Sequence, residues 1–332
     1  MQTRVLGTEL TVSAVGLGAM ALSEQNYGPV DEAEAVRTLH EAIDGGVTLV
    51  DTAETYGHDH ANELLLGRAL GHRRDHVVLS TKFGLEFDAR TKSIRVAGAP
   101  DTVKASCEAS LRRLRTDHID LYYQHRVNPA YPVEDVFGVL SELVAEGKVR
   151  YLGMSEPGID SLRRAHAVHP ITAVQNEYSL FTRDPETELL PVLRELGIGL
   201  VCFGPLGRGV LTGRFRTEED FPAGDFRRLL PRFQGENLRR NVALVDRLGE
   251  LASGLGCTSV QLALAWLLTR GPDVVPIPGM ETRERLRHNL HAADLELGAA
   301  TLAAIEEVIP TGALGSRYGA RFDELSNAES AG

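Results

Sequence analysis

Short apolar runs alternate along the chain with longer runs of helical period. Strands are predicted at Val15–Met20, Thr48–Thr52, Val77–Thr81, Ile119–Gln124, Val149–Met154, Ala173–Glu177, Leu200–Gly204 and Val274–Pro278. Runs such as IDLYYQ are apolar on both faces, which suits strands covered on both sides of a parallel sheet. Helices are predicted between them. Asp31–Asp44 opens on acidic residues and stops at Gly45-Gly46, a matched start and stop. Asn62–Leu70, Thr102–Arg115, Val133–Glu146, Asp160–Ala167, Glu186–Leu196, Thr258–Arg270 and Thr282–His291 follow.

Eight strands, each followed by a helix, make an α/β chain with the count of a closed (β/α)8 TIM barrel. A doubly wound sheet has the same alternation, so the count leaves both open. Additions to the repeat are an N-terminal hairpin in MQTRVLGTELTV, suited to plugging the barrel floor, and an extra helix at Glu236–Leu251. Arg214–Gly235 is a long loop rich in Arg, Phe and Pro, a kind that is usually functional or mobile. The expected division is a single barrel domain over 1–311 and a small-residue tail over 312–332, disordered at its end.

The net charge of −11 on 332 residues repels nucleic acid and anionic membranes, while leaving room for a local basic pocket. Cys107, Cys202 and Cys257 are odd in number and far apart, a pattern of buried thiols and not of a disulfide frame or zinc site. The apolar stretch Leu10–Leu22 follows only Arg4 and has no clear cleavage site, so a cytoplasmic chain is expected.

Sites in such barrels lie at the C-terminal ends of the strands. There the sequence places Asp51 and Tyr56 in VDTAETYG, Lys82 in LSTKFG and His125 in YYQHR. Adjacent strands stand about 4.8 Å apart, so Asp51 and Lys82 are within reach of an ion pair. Lys82 is then expected to approach the Tyr56 hydroxyl and lower its pKa, making a general acid. His125 is expected to orient a substrate oxygen. No activated serine or cysteine stands among them. The set suits protonation of a carbonyl oxygen, with a hydride drawn from a cofactor.

DTAETYG, STKFG and YYQHRVNP resemble the motifs of the aldo-keto reductase superfamily, as do GLGAM, GKVRYLGMSE, AVQNEYS and FGPLGRGVLTGRF, in order from Val5 to Leu297. The resemblance implies NADPH-dependent reduction of a small carbonyl compound, with Asp51, Tyr56, Lys82 and His125 as the catalytic set. It places the nicotinamide near Gly18, Met20, Asp51, Ser155 and Gln175, with Phe203 stacked on the ring where tyrosine is common. The pyrophosphate falls along Gly204–Gly213, at Gly204, Leu206, Gly207 and Arg208, with Arg208 or Arg214 meeting its charge. The adenosine falls at Pro276–Asn289, with Gly279 near it, Arg285 on the 2′-phosphate and Asn289 on the adenine. Glu156 replaces a common asparagine, and Glu281 sets a carboxylate near the expected phosphate. NADH is therefore kept as an alternative cofactor, and an Arg285–Glu281 surface pair as an alternative role for that arginine.

Gly16–Ala21 fits G-x-G-x-x-A, but a loop follows it where a dinucleotide fingerprint needs a helix. His58 and His60 lack the further ligands of a metal site, and His58 is expected to line the substrate pocket. Substrate loops are expected at 22–30, 86–99, 127–132 and 215–235, with Tyr27, Phe87 and Tyr131 as apolar walls. The alternative function is an NADPH-binding regulatory subunit resembling potassium-channel β subunits. Neither the physiological substrate nor the oligomeric state is legible.

Overall fold

The computed structural model describes residues 1–23, 30–88 and 93–319. The chain opens with an antiparallel hairpin, β1 (Thr3–Leu6) and β2 (Leu10–Ser13). The repeat then runs β3 (Leu17–Gly18), α1 (Glu32–Asp44), β4 (Leu49–Asp51), α2 (Ala61–Leu70) and β5 (Val78–Phe83). A second hairpin follows, β6 (Leu85–Asp88) with β7 (Ser93–Val96). Then come α3 (Pro100–Leu114), β8 (Ile119–Gln124), α4 (Val133–Ala145), β9 (Val149–Ser155), α5 (Ile159–Val168) and β10 (Ile171–Glu177). The chain continues through α6 (Leu189–Leu196), β11 (Gly199–Phe203), α7 (Gly235–Gly254), α8 (Ser259–Leu268), β12 (Val274–Pro276), α9 (Arg283–Leu290) and α10 (Ala299–Val308).

Eight strands pair in the order β3-β4-β5-β8-β9-β10-β11-β12, every pair parallel. Closure is made by backbone. The Gly16 N–H donates to the Pro276 carbonyl at 2.9 Å and the Gly18 N–H to that of Pro278 at 3.1 Å, and Gly18 bridges Gly279 in parallel. The first and last strands therefore join, which selects the barrel over the doubly wound sheet. A Cβ on Gly18 would stand 2.7 Å from the Ile277 carbonyl oxygen, so this seam needs a glycine.

The period of two then sorts the strands. Leu49, Leu121, Tyr123, Ala173, Val201 and Val275 belong to one buried cluster with Leu6, Leu10 and Val12 of the hairpin, which plugs the floor as expected. Gly199 allows this approach, since a Cβ there would lie 2.5 Å from Leu6 Cδ2. The alternate positions, such as Tyr122 and Val174, pack outward under the helices. Helix starts follow local chemistry: Asp31 caps α1 by accepting from the Ala33 and Glu34 N–H groups at 2.9 and 3.2 Å.

Several expectations differ. The first strand is only Leu17–Gly18 and turns into a 3-10 segment at Ala19–Leu22. The 86–99 region is largely the β6–β7 hairpin, and α10 is an element the periodicity did not reveal. The long loop after β11 holds short 3-10 turns packed on a Phe215–Phe221 stack at 4.7 Å, with the Arg227 guanidinium 4.3 Å over Phe215. The front of the expected tail is tied down. The Leu314 N–H donates to Asn241 Oδ1 at 2.8 Å, and Arg317 and Tyr318 reach the barrel mouth. Residues 320–332, Tyr27 and the Phe87 side chain lie outside the described residues. Cys107 and Cys202 are buried, Cys257 is half-buried, and all are free thiols. Among the described residues no single helix is long and apolar enough to cross a membrane.

Candidate active site

The inward face that carries Leu49 on β4 carries Asp51 two residues on, and that of β5 carries Ser80 and Lys82. This periodicity lifts three polar side chains above the apolar floor. Lys82 Nζ lies 2.5 Å from Asp51 Oδ1, 2.7 Å from the Thr52 carbonyl oxygen and 3.4 Å from the Tyr56 hydroxyl. Asp51 Oδ2 accepts from Ser80 Oγ at 2.7 Å and from Gln175 Nε2, on β10, at 2.9 Å. Tyr56 and His125 stand edge to face with ring centroids 6.0 Å apart. All four expected residues are thus brought together.

Their electrostatics are set by burial and neighbours. Lys82 would lose its proton more easily by burial alone, but Asp51 and Tyr56 outweigh that and hold its pKa above the ordinary value. Tyr56 corrects an expectation: burial pushes its phenol above the ordinary value, and the Lys82 charge offsets only part of that. The expected net lowering overlooked desolvation. Burial first, then the Arg126 and Lys82 charges, hold His125 well below its usual range, so the ring is neutral. Its Nδ1 is buried without a hydrogen-bond partner among the described residues. Glu54 is pushed up to about 7 by burial, against the stabilising Gly84 N–H at 2.8 Å.

A cleft of about 1210 Å³ runs from Asp51, Tyr56 and His125 past Phe203 to Arg285 and Asn289. Gly18, Met20, Ser155, Gln175 and Gly279 line it, as do Gly204, Leu206 and Arg208. Gly207 is buried behind them, in a turn where it has φ +56° and Gly209 +95°. Amide and hydroxyl donors at one end, an aromatic face, a turn rich in glycine and arginines at the other end fit a nicotinamide dinucleotide.

Some residues behave differently from expectation. Arg208 Nη2 is held by Glu177 Oε2 at 2.6 Å and by the Tyr318 hydroxyl at 2.9 Å, so its charge is already engaged. Arg285 Nη1 pairs with Glu281 Oε2 at 2.5 Å, the alternative raised by their i,i+4 spacing, while still lining the cleft. His58 lines the cleft, whereas His60 Nδ1 lies 2.5 Å from the Glu54 carbonyl oxygen. Glu156 has φ +48°, a conformation asparagine tolerates better than glutamate. The carboxylate holds this position through contacts. Oε1 accepts from the Glu177 N–H at 3.1 Å, and Oε2 meets Arg317 closely and Arg126 Nη2 at 3.8 Å.

Sequence reasoning missed Ser80, which fixes Asp51, although its i,i+2 spacing from Lys82 was a usable signal. It also missed Arg126 and the Arg317–Tyr318 pair. Arg126 stands beside His125 in YYQHR, but nothing in the sequence shows that its side chain turns back to the Ser155 hydroxyl at 3.0 Å. Arg317 lies in a polar tail with no periodic pattern.

Fold and site together define the class: a (β/α)8 barrel with an ion-paired lysine beneath a phenol at its mouth. Residues 14–310 match the aldo/keto reductase family, and the chain belongs to that family. It is 44% identical over 324 residues to a probable aldo-keto reductase 1 of Glycine max, covering 97% of this chain and 93% of that one. Its fold is similar to a glycerol dehydrogenase from Gluconobacter oxydans, with TM-score 0.84, 30% identity, and 92% and 94% of the two chains covered. It is also similar to a thermostable aldo-keto reductase solved with the inhibitor epalrestat, with TM-score 0.74, 30% identity, and 93% and 100% covered. The family consists of oxidoreductases that use nicotinamide cofactors on small carbonyl compounds.

Proposed function

We propose that this chain reduces aldehydes or ketones to alcohols with NADPH, Tyr56 donating the proton. The observation that carries this reading is Lys82 wedged between Asp51 at 2.5 Å and Tyr56 at 3.4 Å in a buried corner of the cleft. The bound nicotinamide supplies the hydride. The phenol, raised by burial, stays protonated at neutral pH and is available to give its proton to the nascent alkoxide. Lys82, held charged by Asp51, then faces the phenolate and stabilises it. His125, neutral, has a ring nitrogen to offer the substrate oxygen and fixes its approach to Tyr56.

On the cofactor side, Ser155 and Gln175 suit the carboxamide and Phe203 the ring face. Backbone around Gly204–Gly207 suits the pyrophosphate, and Arg285 with Asn289 suits the adenosine phosphate and base. Asp51, Lys82 and His125 are buried and Tyr56 is half-buried at the cleft wall, which limits water at the reacting centre.

The test follows NADPH absorbance with 4-nitrobenzaldehyde and 9,10-phenanthrenequinone. Wild type is expected to turn over, and Tyr56→Phe to lose about 10²–10⁴-fold in rate while binding NADPH within a few-fold. Ready turnover by that variant removes Tyr56 from the acid role. Tight NADPH binding by wild type with no turnover of any carbonyl favours the regulatory-subunit alternative.

A further inference from the structure

We infer that the carbonyl compounds this chain reduces carry an anionic group, and that the Arg126 guanidinium selects for it. The inference rests on the reductase reading above and names its substrate class. Arg126 follows His125 directly and lines the cleft. Its Nη1 donates to the His125 carbonyl oxygen at 2.6 Å and to Ser155 Oγ at 3.0 Å. Those bonds lock the side chain across the rim, next to the reacting corner. Its charge is felt at both Tyr56 and His125.

Among the described residues, charge counting around this corner leaves a cation in surplus. Four guanidiniums, of Arg126, Arg208, Arg232 and Arg317, have side chains only 10–15% exposed. Two buried carboxylates serve them, Glu156 and Glu177, and the exposed Asp184 adds a third charge near Arg232. Arg317 takes Glu156 at close range, and Arg208 takes Glu177 at 2.6 Å. Arg126 is left with Glu156 at 3.8 Å, and its Nη2 makes no hydrogen bond among the described residues. A largely shielded cation so weakly paired is unfavourable unless an anion completes it. The phosphates of a dinucleotide belong with the glycine-rich turn and Arg285, at the other end of the cleft. The group that meets Arg126 therefore belongs to the substrate. A carboxylate suits it, since a planar guanidinium makes a short charge-assisted bond to one. The chain as a whole carries −11, so this attraction is local and opposes the general field.

The test pairs 4-carboxybenzaldehyde with methyl 4-formylbenzoate, which differ in charge and hardly in shape. Wild type is expected to favour the acid at least tenfold in kcat/KM. Arg126→Gln is expected to bring that ratio to about one, and Arg126→Lys to retain part of it. A wild-type ratio at or below one overturns the inference, as does a ratio within twofold of wild type in Arg126→Gln. A tenfold loss of NADPH affinity in Arg126→Gln with the ratio preserved also overturns it, and assigns Arg126 to the cofactor through Ser155. A binding arm reads the same selection without turnover: calorimetry of 4-(hydroxymethyl)benzoate and its methyl ester on the NADP⁺-saturated protein. Tighter binding of the acid with neither aldehyde reduced refutes the reductase reading alone. Equal binding of acid and ester refutes the anion selection, whether or not reduction occurs.

Discussion

Asp51 and Gln175 meet across the barrel, the amide nitrogen of one 2.9 Å from Oδ2 of the other. With Ser80 on the same oxygen and Lys82 on Oδ1, the carboxylate is fully engaged. Asp51→Asn keeps the shape and removes the charge. The buried Lys82 ammonium then lacks a counter-ion, a loss that costs about 3–5 kcal/mol in buried pairs. The sign is specific. In wild type the raised Lys82 pKa contributes stability that is complete below the ordinary lysine value and fades as pH rises through the folded value. In Asp51→Asn burial dominates and depresses Lys82, so stability falls as pH falls. Urea midpoints of the variant are expected to rise from pH 7 to 9.5 while those of wild type do not. A variant that tracks wild type across that range shows that Asp51 is not what keeps Lys82 charged.

Glu54, two residues before Tyr56, predicts a pH dependence near neutrality. Burial lifts it from 4.5 to about 7, with Glu63 and Glu86 adding to the rise and Arg113 and the Gly84 N–H opposing it. A carboxyl raised in the folded state is protonated there while the unfolded chain is already ionised. Glu54's contribution to stability is therefore greatest below about pH 4.5 and declines as pH climbs to 7, by at most about 3 kcal/mol. Glu54→Gln keeps an acceptor for the Gly84 N–H and removes the titration. Its unfolding free energy is expected to gain on wild type between pH 5 and 8. Parallel curves over that range mean the carboxyl is already charged in the folded protein.

Much of the barrel was legible because each strand is buried on both faces, so its apolar run stands out from the amphipathic helices around it. The convergence of Asp51, Tyr56, Lys82 and His125 was legible because strand ends meet at the barrel mouth and residue types limit the chemistry. Ser80–Asp51–Gln175 was harder to read, since a hydrogen bond across the barrel has no sequence spacing. The Tyr56 pKa was misjudged for a similar reason. A cation's effect can be guessed from a neighbour on the next strand, but desolvation depends on everything packed above it. The ordering of 312–319 is not legible in the sequence because its anchors are scattered contacts with no period: Phe181 to Ala313, Asn241 to Leu314, Arg232 to Gly315, Glu156 to Arg317 and Arg208 to Tyr318.

Those anchors make a stability prediction. Arg317 is the close partner of buried Glu156, whose other cation, Arg126, is 3.8 Å away. Arg317→Ala strands a buried carboxylate at a position already in a left-handed conformation, and is expected to cost about 3 kcal/mol in urea unfolding. Adding Glu156→Gln removes the stranded charge and is expected to recover part of the loss. If the double variant is less stable than Arg317→Ala, the ion pair is not the source of the effect.

On the proposed reading, cofactor preference would turn on Glu281 and Arg285, joined at 2.5 Å on the first turn of α9 and its approach. The Arg285 side chain is 43% exposed, so the pair is worth little to folding, but it occupies the cation a 2′-phosphate needs. With a 2′-phosphate at Arg285, Glu281 would also set its own negative charge beside it. Glu281→Gln frees the guanidinium and removes the repulsion, and both changes act on NADPH and not on NADH. NADPH is expected to bind about tenfold tighter to this variant, a gain of about 1.4 kcal/mol, with NADH affinity nearly unchanged. Arg285→Ala is expected to do the reverse, weakening NADPH more than NADH. Fluorescence titration with both dinucleotides reads each arm. Equal shifts for the two cofactors in both variants place the 2′-phosphate elsewhere in the cleft and leave Arg285 a surface partner of Glu281.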